Sequence, residues 1–245
     1  AVQLKSLAQP LKKALHTAAQ MDADGVQIDA RTELPPAELS ETGLRQVRKM
    51  LADLNLQIGT IAFPTRRSYS NPDDLERRID ATRAAAQLAS RLNVRTLCIG
   101  LGAIPEEDDP RRATLLDALA TLTRDGEKYG VILAARAPAA QQQRLAALVD
   151  AFSPATLGID LNPAELILEG RTPQVAGQRI AHVLANDAVR GFGGDQGSRV
   201  ALGRGTADIP AILGQLEEHN YRGWITIALR DSDLPIEDCA NAVKF

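Results

Sequence analysis

The chain has little cysteine and few aromatic residues. Cys98 and Cys239 are the two cysteines in 245 residues, which is too few for a disulfide framework, and their spacing is not that of metal ligands. A low cysteine content is typical of proteins from a reducing compartment. We therefore expect a cytoplasmic protein. Aromatic residues make up 3% of the chain and offer few surfaces on which nucleic-acid bases could stack.

Charge of neither sign dominates, and long apolar runs are missing. The 28 Lys and Arg residues and the 31 Asp and Glu residues leave a net charge of −3. This balance gives no long-range attraction to nucleic acid or to anionic lipid. The uncharged stretch 96–105 is far shorter than the roughly 18 apolar residues of a membrane-spanning helix. We therefore expect neither a nucleic-acid partner nor a membrane partner.

Several cofactor and nucleophile motifs are also missing. Gly100-Leu101-Gly102 lacks the third glycine of a dinucleotide fingerprint, and Gly203-Arg204-Gly205 does not directly follow a predicted strand. We find no phosphate loop ending in Gly-Lys-Ser/Thr, no HExxH pair and no nucleophile elbow. The sequence gives no sign of a cofactor, and we expect none.

The chain does contain short apolar runs that alternate with amphipathic helices. The predicted strands are residues 2–6, 25–29, 57–63, 95–100, 131–135, 156–161, 181–185 and 224–228. Eight strands at about 31 residues per unit are typical of a (β/α)₈ barrel. An open doubly wound sheet is the rival, but it would require the missing glycine fingerprint. With no break in composition, we predict one TIM-barrel domain over residues 1–245, its last helix cut short near Phe245.

Three segments carry helix-start signals. Asn71-Pro72 predicts an N-cap and a first helical residue, with acids following that suit the helix dipole. Asp109-Pro110 predicts the start of the next helix. Asn162-Pro163-Ala164-Glu165 has the pattern of a capping box, which is a structural explanation for Asn162 and Glu165.

The carboxyl ends of barrel strands carry the chemistry, and inward-facing positions alternate along each strand. The alternation predicts a polar lining of Gln27, Asp29, Arg136, Asp160, Asn162, His182, Asn186 and Thr226. This set has few groups suited to a divalent ion. Asp160 lies one layer below the rim, and we expect it to pair with Arg136 or His182 because buried charges need partners.

One segment carries a family resemblance. Residues 201–227, ALGRGTADIPAILGQLEEHNYRGWITI, resemble the last βα unit of the sugar phosphate isomerase/epimerase family, the xylose-isomerase-like barrels. The order of MDADGVQID, LASRLNVRTLCIGLG, YGVILAARAP, LGIDLNPAEL and HVLANDA is similar too. The resemblance implies a barrel that holds a divalent metal with Glu, Asp, His and Glu from strands five to eight, and that moves a proton with acidic side chains.

The positions implied for the metal ligands are substituted in this chain. They fall on Arg136, Asn162, Leu184 and Ala228, and a further Glu on strand two falls on Gln27. A guanidinium stays protonated at working pH and would repel a divalent cation in a partly dry cavity. We therefore expect no metal, and Arg136 is suited to bind a phosphate or carboxylate instead.

Two hypotheses follow. In the first, a degenerate member of the family binds a small sugar, polyol or sugar phosphate without metal, through Arg136, Asn162, Glu165, Asp187 and Arg204. In the second, the chain is an isomerase or epimerase in which Glu165, Asp187 or Asp29 transfers the proton. The competing interpretation of Asp187 is a cap on the loop after strand seven. The segment 191–204, rich in glycine and arginine, suits a phosphate or is simply flexible.

Overall fold

The computed structural model describes residues 1–175, 179–191, 197–229 and 234–245. Within these ranges, parallel strands close into a barrel in the order β1, β10, β7, β6, β5, β4, β3, β2. The barrel strands are β1 Val2–Gln3, β2 Gly25–Asp29, β3 Gln57–Phe63, β4 Thr96–Gly100, β5 Ile132–Arg136, β6 Leu157–Leu161, β7 Ile180–Ala185 and β10 Ile225–Ile227. Val2 pairs with Val26 on one side and with Ile227 on the other, which closes the cylinder. The predicted TIM barrel is confirmed.

Helices follow most strands and cover the outside of the barrel. They are α1 Leu11–Gln20, α2 Glu41–Asp53, α3 Leu75–Arg91, α4 Arg111–Tyr129, α5 Gln142–Asp150, α6 Pro163–Leu168, α7 Ile209–Glu218 and α8 Pro235–Val243. Their apolar faces pack on the outward-facing Val, Ile and Leu side chains of the strands and form the main core. No helix in the described part of the chain is long and apolar enough to cross a membrane.

The first strand is shorter than predicted. Only two residues of the expected run 2–6 pair as a strand, and Leu4–Leu7 form a 3₁₀ helix. Leu4 and Leu7 are both buried, a spacing of three residues that suits a 3₁₀ turn better than a strand. As a result Lys5 lies directly above the carboxyl end of β1.

The sequence also did not predict a small hairpin. Strands β8 (Asp187–Val189) and β9 (Ser198–Val200) pair antiparallel beyond the end of β7. Strands of three residues carry too little alternation to be recognised. The centre of the glycine-rich segment expected to suit a phosphate, residues 192–196, lies outside the described residues.

Helix starts were predicted with mixed success. The prediction that Asn71 caps a helix beginning at Pro72 is wrong, because α3 begins at Leu75 after Asp74, whose φ is +52°. The Asn71 side chain instead accepts a hydrogen bond from the Asp73 N–H, an Asx turn before the helix. The predicted cap at Asn162 is confirmed: its Oδ1 accepts from the Glu165 N–H, and Pro163 is the first residue of α6.

A single tryptophan fills the amino end of the barrel. A Cβ atom on Gly59 or Gly25 would lie 2.5 or 2.9 Å from the Trp224 ring, so these positions leave room only for glycine. Close packing of this kind closes the lower end of the cylinder. The carboxyl ends of the strands lie at the opposite end of the cylinder.

Candidate functional site

A cavity of about 850 Å³ opens at the carboxyl ends of the barrel strands. This size is in the range of small-molecule sites. Polar side chains from several strands and loops line it in the described part of the chain: Gln3, Lys5, Gln27, Asp29, Cys98, Arg136 and Glu165. The cavity is thus both large enough and polar enough for a hydroxylated ligand.

A chain of hydrogen bonds joins four strands, β5, β6, β7 and β10, at the base of this cavity. The Arg136 Nε donates to Asp160 Oδ2 at 3.0 Å, and Arg136 Nη2 donates to the same oxygen. Asp160 Oδ1 lies 2.8 Å from His182 Nδ1, and His182 Nε2 lies 2.8 Å from Thr226 Oγ1. The expected pairing of Asp160 is confirmed with both of its candidate partners.

Burial and pairing act in opposite directions on these charges. Burial raises the pKa of Asp160, but Arg136 and His182 together outweigh it and hold that pKa below its ordinary value. Burial lowers the pKa of Arg136, yet Asp160 and then Glu165 bring it above its ordinary value. The result is a fixed ion pair. By contrast, burial raises the pKa of the Cys98 thiol well above its usual range, so the thiol stays protonated at neutral pH.

Cys98, Asp160 and His182 form a cluster with the residue types of a metal site. Their ligand atoms lie within 4.8 Å of one another. However, the two nitrogens of His182 face Asp160 and Thr226, and the other Asp160 oxygen accepts from Arg136. A metal would have to displace these hydrogen bonds next to a guanidinium charge. The cluster as it stands does not fit a divalent ion.

Of the residues expected to bind the ligand, Arg136 and Glu165 line the cavity. Glu165 Oε1 lies 3.3 Å from Arg199 Nη2 of the hairpin, and 30% of its side chain is exposed. Asn162 is buried beneath them. Its Oδ1 accepts from the Asn186 side chain at 2.8 Å in addition to capping α6. The carboxamide oxygen of Asn162 therefore has two partners inside the protein.

Asp187 has the structural role that the competing interpretation gave it. It is buried and accepts four backbone N–H groups, from Ala188, Gly203, Gly205 and Ala207, at 2.8 to 3.1 Å. These contacts hold the loop between the hairpin and α7 and occupy both carboxylate oxygens. Arg204 lies in that loop with an exposed side chain, outside the lining of the cavity.

Asp29 lines the cavity but is already paired. Lys5 Nζ lies 3.0 Å from its Oδ2, and the N–H groups of Arg31 and Thr32 donate to its Oδ1 at 2.8 and 3.1 Å. The Lys5 side chain is 57% exposed at the mouth, so the ammonium remains open to a ligand on one side.

A second polar network joins the first three strands, and only one of its residues was predicted from the sequence. Ser6 donates to Gln3 at 3.1 Å, Gln3 donates to Gln27 at 2.6 Å, and Gln27 donates to Thr60 at 2.8 Å. Of these, only Gln27 was expected in the lining. Gln3 alternates correctly with the core residue Val2 and was recoverable, whereas Lys5 and Ser6 follow the unpredicted 3₁₀ turn.

The described residues thus form a parallel barrel with a polar cavity at the carboxyl ends of its strands. Comparison with protein families matches residues 15–244 to the family described as xylose isomerase-like TIM barrel, and the chain belongs to this family. This confirms the resemblance inferred from the sequence. No curated protein sequence matches the chain significantly.

Several solved structures share the fold. A xylose isomerase domain protein from Planctomyces limnophilus is 21% identical, with a TM-score of 0.81 over 94% of this chain and 89% of that one. A xylose isomerase-like barrel protein from Mycobacterium smegmatis in complex with magnesium is 17% identical, with a TM-score of 0.73 over 95% and 85%. A sugar phosphate isomerase/epimerase from Parabacteroides distasonis is 12% identical, with a TM-score of 0.69 over 99% and 91%. At these identities the likeness shows the fold.

Proposed function

We propose that the cavity binds a small sugar, polyol or sugar phosphate without a divalent metal, and that Arg136 supplies the positive charge of the site. The observation that carries this proposal is the Arg136–Asp160 ion pair at the base of the cavity. Membership of a family with sugar isomerase and epimerase structures among its neighbours supports the ligand class.

The position of Asp160 changes one detail of the expected correspondence. Asn162 was expected where the family has its strand-six Asp, but Asp160 is the strand-six side chain that contacts Arg136. We therefore infer that the acid of strand six, Asp160, lies one layer below the position implied for the metal ligand and that Arg136 neutralises it. Leu184 and Ala228 are both buried and offer no donor atom for a metal. One acid held by an arginine is a poor cation site.

The same arginine is suited to an anionic ligand. Its Nε and Nη2 bond to Asp160, while its Nη1 has no partner among the described residues and its side chain is 25% exposed. Nη1 can therefore donate to a phosphate or carboxylate oxygen. The amides of Gln3 and Gln27 and the ammonium of Lys5 lie in the same lining and suit hydroxyl groups.

Among the expected binding residues, we keep Arg136 and Glu165 as direct contacts. Asn162 supports the site by capping α6, the helix that carries Glu165 into the lining of the cavity. Asp187 supports it by fixing the loop that follows the hairpin. For Arg204, a direct role requires the loop to move toward the mouth, because its side chain lies outside the lining.

A second candidate function is an isomerase or epimerase with an altered acid/base site. Glu165 is the carboxylate that favours it. It lines the cavity, and its single long contact with Arg199 leaves it the least committed of the three candidate acids. Asp29 and Asp187 are held by several donors each, which lowers their availability as bases.

Calorimetric titration with Mn²⁺ and Zn²⁺ tests the metal-free proposal. We expect no stoichiometric binding, and one tightly bound ion per chain in the cavity would contradict the proposal. Thermal shift with glucose 6-phosphate, gluconate and glucose tests the ligand. We expect larger stabilisation by the two anions, because binding to the native state raises stability by mass action.

Variants of Arg136 and Glu165 separate the two functions. Arg136→Lys keeps a positive charge beside Asp160 but loses the planar donor edge of the guanidinium. The affinity for anionic sugars should therefore fall about tenfold. Glu165→Gln should retain binding. If the chain is an isomerase, exchange of a sugar C–H with solvent deuterium, followed by NMR, should occur in the native protein and disappear in Glu165→Gln. If Arg136→Lys changes the affinity for none of the tested sugars, Arg136 is not part of the binding site.

A further inference from the structure

A second cavity, of about 590 Å³, lies at the opposite end of the barrel, where the strands begin. Its lining includes the cations Arg95, Arg179 and Arg222 together with His219, and no carboxylate among the described residues. The whole chain carries a net charge of −3. The charged side chains in the described lining of this crevice are therefore opposite in sign to the molecule as a whole, and they attract anions.

The cations of this crevice differ in their commitments. Arg179 is fully engaged, with its Nε 3.1 Å from Asp150 Oδ1 and its Nη groups donating to the carbonyls of Phe152 and Asp150. Arg95 and Arg222 are exposed, and neither side chain has a hydrogen-bond or ion-pair partner among residues 1–175, 179–191, 197–229 and 234–245. Two guanidinium groups without partners in these ranges thus line the same crevice.

The same crevice also has an aromatic surface. The half-buried Trp224 ring packs on Gly25 and Gly59 and lines the crevice with its remaining surface. The Tyr221 hydroxyl donates to the Trp224 carbonyl at 2.9 Å, and burial raises the pKa of that phenol, so it remains a donor. The indole N–H has no partner in the described part of the chain. The ring is held in place and presents a flat apolar face.

We propose that this crevice is a second binding site, for a small phosphate-bearing molecule with a planar ring, such as a nucleoside monophosphate. Arg95 and Arg222 would bind the phosphate as charge-assisted donors, and the ring would stack on Trp224. The competing explanation is that these arginines only compensate the carbonyl ends of α3 and α7, which finish nearby at Arg91 and Glu218.

The chain provides its own probe, because Trp224 is its single tryptophan. Titration of the protein with AMP, with excitation at the red edge of indole absorption, should quench the fluorescence in a saturable way. Adenosine and inorganic phosphate are the two separated halves of this probe and should each act at least about tenfold more weakly. Calorimetry should give one AMP per chain.

Variants decide between the proposal and the competing explanation. Arg95→Gln with Arg222→Gln should weaken AMP binding at least about tenfold, because each loses a hydrogen bond to a charged group. Arg77→Gln with Arg124→Gln is the matched control, since both are exposed arginines on the outer faces of α3 and α4. This control should leave AMP binding unchanged.

The outcomes are distinct. No saturable quenching and no calorimetric heat with AMP would overturn the site. Equal loss of affinity in the crevice and control variants would show that only net charge matters and would also overturn it. Equal affinity for adenosine would contradict the phosphate assignment, and equal affinity for inorganic phosphate would contradict the stacking assignment. The result does not depend on the sugar proposal, because Trp224, Arg95 and Arg222 line this crevice and not the cavity that holds Arg136.

Discussion

Arg136 on β5 and Asp160 on β6 form an ion pair across neighbouring strands, with Nε and Oδ2 3.0 Å apart. The Asp160 side chain is completely buried, and 25% of the Arg136 side chain is exposed to the cavity. The pair therefore joins the interior of the barrel to its binding site. The pair begins a hydrogen-bonded series of four side chains that continues through His182 to Thr226.

Arg136→Met should destabilise the protein strongly, because it leaves the buried Asp160 carboxylate without its cation. Breaking one side of a buried pair costs about 3–5 kcal/mol of unfolding free energy. Arg136→Met combined with Asp160→Asn removes both charges and should recover most of this loss. Urea unfolding of the native protein and the two variants measures the effect. Equal stability of the single and double variants would contradict a coupled pair.

The same pair gives stability a defined pH dependence. Because Arg136 and His182 hold the pKa of Asp160 below its ordinary value, the unfolded chain binds a proton more readily than the folded one. The contribution is complete above the unfolded pKa of about 4 and is lost as the pH falls through the lower, folded pKa. Unfolding free energies measured from pH 2 to 6 should fall more steeply in the native protein than in Arg136→Met with Asp160→Asn.

The barrel could be predicted from the sequence because its signal is repeated. Each strand of β2 to β6 is an apolar run followed by a helix, so an error in one unit does not change the architecture. The hairpin β8–β9 has no such repetition and was missed. The start of α3 was misplaced because Asn71-Pro72 also suits a turn, and local sequence does not decide between the two.

The site could be predicted only in part. Asp160 and His182 were placed correctly inside the barrel because the period of two along a strand fixes their direction. Which carboxylates remain free is a matter of backbone contacts that sequence does not reveal. Asp187 accepts four N–H groups, three of them from residues 203 to 207, and this loop geometry has no sequence signature.

Asp187→Ala should lower stability without a direct effect on ligand contacts. The substitution removes the acceptor of four buried or half-buried backbone donors, each of which costs about 1–3 kcal/mol when unsatisfied, offset where water enters. We expect a loss of at least about 2 kcal/mol by urea unfolding. The affinity for sugar phosphate, measured where the variant is folded, should change less than for Arg136→Lys. The opposite order would give Asp187 a direct role in binding.

Rebuilding a cation site tests whether the strand ends are assigned correctly. Arg136→Glu, Leu184→His and Ala228→Glu restore three of the ligand types that the family resemblance implies, and Asp160 offers a carboxylate one layer below the fourth position, Asn162. With the guanidinium gone, Asp160 Oδ2 is released and the local charge becomes negative. We expect the triple variant to bind one Mn²⁺ or Zn²⁺ per chain by calorimetry.

The triple variant can lose stability and still bind metal. Its melting temperature, measured at increasing Mn²⁺ concentration, separates these two effects. Several like charges near Asp160 should make the metal-free variant less stable than the native protein. Added Mn²⁺ should then raise its melting temperature progressively, since only the folded state has the assembled site. Ala228→Glu alone keeps Arg136 and is the matched control, for which Mn²⁺ should have no effect. If the triple variant is folded and Mn²⁺ does not change its melting temperature either, these positions do not converge on one ion. The place assigned to Arg136 in the site would then be wrong.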